Sequence, residues 1–209
     1  MLNPEVWLWA QERQRGLIAL LGRYANAPLQ ALRLLEVGCG TGGNLLELIR
    51  LGFGPGNLIG SELLPERVAV ARGNLPAACA VYSGDVMDLV FDDSSFDIVY
   101  QSTVFTSLLD PEFQEALANR MWRWVKPGGA VLWYDFVYDN PFNPDVAGVP
   151  VRRIRALFPE ASLTVRRVTL APPISRRVSR LHPFAYHLFN AMPWLRSHVL
   201  CWISKRSNL

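Results

Sequence analysis

Three glycines and four polar residues in the first two thirds of the chain are spaced to bind and orient a polar cofactor. Gly38, Gly40 and Gly42 alternate directly after the apolar run Leu34-Leu35-Glu36-Val37, and Leu45, Leu46, Leu48 and Ile49 follow at helical spacing. A strand, a Gly-rich turn and a helix start let the backbone approach a ligand, and the first helical N–H groups can donate to it. The run satisfies two fingerprints at once. Gly38, Gly40 and Gly42 spell G-x-G-x-G, while Gly38, Gly40 and Gly43 spell the dinucleotide pattern G-x-G-x-x-G. The glycines therefore leave a nicotinamide or flavin cofactor and S-adenosylmethionine both open. Glu36 leans to the second: a carboxylate inside an apolar strand is costly unless paired, and S-adenosylmethionine carries an ammonium and a sulfonium that a dinucleotide lacks.

Three more polar positions follow short apolar runs. Glu62 closes Leu58-Ile59-Gly60-Ser61, where a carboxylate can accept from both hydroxyls of a ribose in either cofactor. Asp85 comes after Cys79–Tyr82 and discriminates better, because a carboxylate there can accept from an adenine amino group. Val86 is next to it, and Gln101-Ser102 close Phe96–Tyr100.

These residues meet only if the runs are parallel strands whose carboxyl ends share one edge, which is where an open doubly wound sheet binds its ligand. The chain alternates accordingly. A helix from Asn3-Pro4-Glu5 to about Tyr24 precedes the first strand, and helices are predicted at Pro65–Asn74 and from Asp110-Pro111-Glu112 to about Trp124. Lys126 to Gly129 reads as a turn before a strand at Ala130–Phe136. A loop from Tyr138 to Pro150, a basic helix at Val151–Phe158 and a strand at Leu163–Leu170 follow. Pro172-Pro173 breaks that strand, Leu181–Trp194 is amphipathic and aromatic-rich, and His198–Ser204 is a final strand. The expected class is α/β, a Rossmann-like doubly wound sheet.

In this order the motifs LEVGCGTGG, IGSELLPERV, GDVMDLVFDDSSFDIVYQS and VKPGGAVLWYD resemble those of the class I S-adenosylmethionine-dependent methyltransferases, in particular the broad type 11 group related to quinone-biosynthesis C-methyltransferases. The likeness covers Leu32 to Asp135, about half the chain. It implies a seven-stranded sheet, mostly parallel with an antiparallel last strand. It also implies that Gly38, Gly40 and Gly42 line the methionine part of the cofactor, with Glu36 fixing their loop through backbone amides or water. Glu62 would hold the ribose, Leu63 would pack on the adenine, and Asp85 and Val86 would bind adenine N6 and the ring. Gln101 would lie where the cofactor amino group and methyl are approached. The family's amide and base N-methyltransferases carry an Asn/Asp-Pro-Pro-aromatic run after the fourth strand. Gln101-Ser102-Thr103-Val104-Phe105 departs from it, which favours an O or C acceptor.

The remaining residues bear on the acceptor. Asp135, Tyr138 and Asp139 follow the fifth strand on the correct edge and are candidate bases, with His182, His187 and His198 further along. Tyr138 and Phe142, with Trp7 and Trp9, could wall an acceptor. The formal net charge of +3 conceals an asymmetry: residues 1–150 hold 10 Lys+Arg against 17 Asp+Glu, and residues 151–209 hold 11 against Glu160 alone. Arg152, Arg153, Arg155, Arg166, Arg167, Arg176, Arg177 and Arg180 concentrate where this superfamily builds its acceptor site, suggesting an anionic or lipid-linked small molecule or a membrane surface touched by Leu181–Trp194. Nucleic acid is disfavoured, because no aromatic stacking motif accompanies the arginines.

Length and composition fit a single domain over 1–209: an N-terminal helix or lid (1–30), a cofactor core (31–137) and an acceptor-side part (138–209). Cys39, Cys79 and Cys201 are too widely spaced for a C-x-x-C metal or redox unit, so no metal is expected. Without a signal sequence or an apolar run of membrane-spanning length, a cytoplasmic location is expected. The expected function is methyl transfer to a small acceptor. An NAD-dependent oxidoreductase and a non-catalytic S-adenosylmethionine-binding protein are the alternatives.

Overall fold

The computed structural model describes residues 4–139, 143–181 and 183–207. Helix α1 (Pro4–Tyr24) leads into β1 (Leu34–Val37), α2 (Gly43–Leu51), β2 (Leu58–Glu62), α3 (Pro65–Asn74), β3 (Ala80–Ser83) and β4 (Phe96–Ser102). Then come α4 (Pro111–Trp124), β5 (Val125–Phe136), α5 (Val151–Leu157), β6 (Ser162–Leu170), α6 (Pro172–Leu181), α7 (Pro183–Asn190) and β7 (Arg196–Ser204). The seven strands form one sheet in the order β3-β2-β1-β4-β5-β7-β6. β1 to β5 run parallel, and β7 pairs antiparallel with both β5 and β6. The class and the antiparallel last strand agree with the sequence.

The central strands are apolar on both faces because helices cover both. On one side Leu17, Leu20 and Leu21 of α1 and Leu45 and Leu48 of α2 pack on Leu34, Ile98, Leu132 and Leu200. On the other, Leu117, Met121 and Trp124 of α4 and Ile154 and Leu157 of α5 pack on Leu35, Val99, Val131 and Cys201. Burying each such side chain contributes roughly 1.5–3 kcal/mol. The strand order reverses between β1 and β4, and this is the switch point at which a ligand crevice forms.

Local signals explain several helix starts, among them the prolines that open α3 and α4. Asp110 accepts from the Glu112 N–H at 2.9 Å, with Pro111 at the first helical position, so α4 starts as expected. Asn3, the expected cap of α1, lies outside the described residues. Two expectations are corrected. Lys126–Gly129 is part of β5 and forms a bulge in it: Phe96 pairs with Val125, but Ile98 pairs with Ala130. Lys126 Nζ holds Asp97 at 2.9 Å across this irregularity, and Gly128 takes φ +79°. The prolines after β6 open α6 and do not merely end the strand, since a missing N–H costs nothing in a first turn.

Candidate functional site

A cleft of about 620 Å3 opens at the carboxyl ends of β1, β2 and β4. The loop after β1 forms its floor, and Gly38, Gly40 and Gly42 all take left-handed backbone angles, φ +68°, +56° and +85°. A side chain at Gly38 would also meet Val104 Cγ2 at 2.6 Å, whereas the space beside Gly40 is open. Gly43 has no positive φ and nothing within 4 Å of a Cβ position. The third glycine of a dinucleotide fingerprint is needed for tight helix–strand packing, and Gly43 meets no such demand. The glycines that the backbone requires are those of G-x-G-x-G.

The acids divide their work differently from the sequence expectation. Glu62, 6% exposed and lining the cleft, accepts from the Gly40 N–H through Oε2 (2.9 Å) and from the Leu64 N–H through Oε1 (3.0 Å). It therefore fixes the glycine loop itself, while its remaining lone pairs stay available to a ligand. Glu36 is fully buried, points towards α2 and is not part of the lining. Its Oε1 accepts from Asn44 Nδ2 at 2.6 Å, and no described residue partners Oε2. Burial pushes its carboxyl up to about 8, against the opposing Asn44 hydrogen bond. Glu36 thus positions Asn44, which does line the cleft. Asp85 accepts from the Met87 N–H at 2.8 Å, a turn that sets Asp85 and Val86 on the cleft wall beside the exposed Leu63.

Gln101 sits beneath the site. It is buried, accepts from the Val104 N–H at 3.1 Å and leaves Ser102, Thr103 and Val104 to line the cleft. Strand alternation explains this, since Gln101 shares the α4-facing side with Val99. Asp135 is on that side too: fully buried, it accepts from the N–H groups of Thr106 (3.3 Å) and Phe136 (3.1 Å), and burial raises it to about 7 against hydrogen bonds led by that of Thr106. The Tyr138 hydroxyl accepts from Arg167 at 2.8 Å, and Asp139 accepts from the Gly148 N–H at 2.8 Å. None of these three candidate bases lines the cleft. Trp9 donates to Ser175 at 2.9 Å and Trp7 is exposed, so neither walls it. His198 is stacked on Tyr134 at 5.2 Å, and burial lowers it to about 4. His187 is exposed on α7, while Phe142 and His182 lie outside the described residues.

Residues 34–129 match the model of a methyltransferase domain family. Those residues form a methyltransferase domain. The chain is 34% identical over 134 residues to phthiotriol/phenolphthiotriol dimycocerosates methyltransferase 1 of Mycobacterium ulcerans, covering 62% of this chain and 48% of that protein. It is 35% identical over 112 residues to a fatty-acid O-methyltransferase of Mycolicibacterium smegmatis, covering 53% and 39%. The chain thus spans less than half the length of these relatives. Among solved structures, geranyl diphosphate C-methyltransferase from Streptomyces coelicolor superposes with a TM-score of 0.65 at 15% identity, over 92% of this chain and 77% of that one. These matches carry the methyltransferase fold and do not single out the quinone-biosynthesis group.

The lining of this methyltransferase cleft fits S-adenosylmethionine, the cofactor of the family. Carboxylates stand at the ends of β2 and β3, Leu63, Val86, Leu108 and Phe113 offer apolar contact, and a buried Glu36 oxygen stands unpaired one side chain behind the cleft. Among the described residues no group of His, Cys, Asp and Glu is placed to hold a metal. Asn44, Arg67, Thr103 and the Ser107-Leu108 pair line the cleft without having been singled out in the sequence. Thr103, at φ +58° with its N–H on Tyr134 O at 2.8 Å, is fixed by a turn that no motif announces.

Proposed function

We propose that the chain moves a methyl group from S-adenosylmethionine to an oxygen or carbon of a small, largely apolar acceptor of the lipid class, free or carrier-linked and with an anionic group. The reading rests above all on the left-handed Gly38, Gly40 and Gly42 loop tied to Glu62 at the cleft floor. Bound there, the cofactor supplies an electrophilic methyl on a sulfonium. The protein's task is then to align the acceptor with that methyl and exclude water.

In this reading Glu62 accepts from the ribose hydroxyls, Asp85 and Val86 receive the adenine edge, and Leu63 covers its ring. Gly38 and Gly40 admit the methionine end, with Asn44 beside it. Residues 1–209 act as one unit, the last part shaping the acceptor side. The relatives named above act on lipid-like molecules, which supports the acceptor class. Among the described residues the cleft lining contains no His, Tyr or Lys. A carboxylate oxygen, nucleophilic without a base, suits such a lining better than an alcohol does.

Calorimetry with S-adenosylhomocysteine and with NAD tests the cofactor. Micromolar binding of the first and none of the second is expected; tight NAD binding alone would overturn the proposal. Methyl transfer from labelled cofactor to fatty acids, with isoprenoid and sterol acceptors in parallel, tests the class. No product together with intact cofactor binding would leave the non-catalytic alternative.

A further inference from the structure

We propose that the α6–α7 hairpin is a docking element for an anionic lipid bilayer. The proposal rests on the lipid-class acceptor argued above and adds the surface by which the protein would reach it.

The hairpin stands between the carboxyl end of β6 and the start of β7. Because β6 runs parallel to β5 and β7 runs back, both ends lie on the sheet edge that holds the cleft. One side of the hairpin is firmly held. Val178 and Tyr186 are buried with Leu170 against Leu8 and Trp9 of α1, Trp9 donates to Ser175, and the Tyr186 hydroxyl donates to Glu12 at 3.0 Å.

The outer side is apolar. Phe184 and Leu188, one turn apart on α7, are 67% and 58% exposed, and Trp194 in the following 3-10 turn (Pro193–Leu195) is 70% exposed. Val6 and Trp7 are also exposed on the first turns of α1, whose Leu8 and Trp9 pack in the same small cluster. α6 adds Arg176 and Arg177, both exposed, and from Pro172 to Leu195 the chain contains no Asp or Glu.

Charge decides the occupant. Aromatic and leucine side chains can enter the acyl boundary while arginines meet headgroup phosphates, and a tryptophan suits the level between them. A second copy packed hairpin on hairpin about a twofold axis would gather the arginines of both copies with no carboxylate from either hairpin to pair them. A nucleic acid would use the arginines but leave Phe184, Leu188 and Trp194 in water. An anionic bilayer satisfies both features.

Flotation of the full chain with vesicles of phosphatidylcholine, alone or mixed with phosphatidylglycerol, tests the proposal. Binding roughly tenfold stronger to the mixed vesicles and weakened by salt is expected. The double variant Phe184→Ser, Leu188→Ser and the single Trp194→Ala should each lower it at least about tenfold, and Arg177→Gln less. Unchanged melting and S-adenosylhomocysteine binding in the double variant would show that it is folded. No flotation, or equal flotation of parent and variants, overturns docking; so does a dimer in light scattering that the double variant dissolves. If docking fails while labelled methyl still reaches fatty acids, isoprenoids or sterols, the acceptor reading stands without it; if flotation persists and no lipid is methylated, docking stands and the acceptor reading falls.

Discussion

Alanine at Gly38, Gly40 and Gly43 separates the two fingerprints that share this loop. At Gly38 an alanine would hold an L side chain at φ +68°, costing about 1–2 kcal/mol. Its Cβ would also stand 2.6 Å from Val104 Cγ2, whose residue is anchored through its N–H on Gln101. Displacing that packed methyl adds about 1–3 kcal/mol. The sum, about 2–5 kcal/mol, corresponds to a melting temperature lower by roughly 5–15 °C for a chain of this size. Gly40→Ala meets the same backbone cost but open space, so about 1–2 kcal/mol is expected. Because Gly40 lines the cleft, its new methyl should weaken S-adenosylhomocysteine by roughly tenfold. Gly43→Ala, in the first turn of α2 with neither strain nor contact, should be neutral or stabilising by about 0.5–1 kcal/mol, with unchanged affinity. Scanning calorimetry and ligand titration on the three variants measure both quantities. A Gly43→Ala variant as damaged as Gly38→Ala, or a Gly38→Ala variant that melts like the parent, would refute the reasoning.

Glu62→Gln keeps one acceptor but turns an amide towards an N–H, so S-adenosylhomocysteine affinity should fall about 10–100-fold in titration calorimetry. Glu36 titrates higher in the folded chain than its usual 4.5, so the folded state holds the proton more tightly than the unfolded one. Its stabilising contribution is complete below pH 4.5 and disappears as pH rises to about 8, a loss of at most about 5 kcal/mol. Glu36→Gln should remove that slope in urea unfolding between pH 5 and 8, and an equal slope in both proteins would contradict the burial argument. Asp135→Asn, replacing a carboxyl that holds Thr106 and does not face the cleft, should leave S-adenosylhomocysteine binding within about 1 kcal/mol.

The order of the elements was legible because buried parallel strands read as short apolar runs and the helices carry their own start signals, as at Asp110-Pro111-Glu112. The glycine loop was legible as a ligand turn but not as one fingerprint, since that depends on which glycine the backbone forces to positive φ. The roles of Glu36 and Glu62 were harder to read. A carboxylate within a strand faces whichever layer the register dictates, and Glu36 shares its face with Leu34 and Tyr100, under α1 and α2. Gln101 and Asp135 could have been placed by counting: they alternate in step with Val99 and with Trp133, both in the α4 layer. Asn44 carried a weaker signal, as the first polar residue of a helix that begins at a cofactor loop. The α6 helix was hidden by its prolines, which read as breakers inside an element but are tolerated at its start.

The N-terminal helix links the cofactor half to the basic half. α1 contributes no residue to the cleft lining, so its effect on the site must pass through contacts. Arg13 pairs with Glu47 of α2 at 2.7 Å and lies 5.5 Å from the ring centroid of Tyr134, on the strand next to β4. One position earlier, Glu12 accepts from Tyr186 of α7 and lies 3.6 Å from Arg196 at the start of β7. Adjacent residues of one helix turn therefore grip the helix that follows the glycine loop and the hairpin that carries the exposed aromatic surface. Both pairs are part-buried, so breaking either costs more than the ~0–1 kcal/mol of a surface pair and less than the ~3–5 kcal/mol of a fully buried one. Such links make α1 a strut between the two halves.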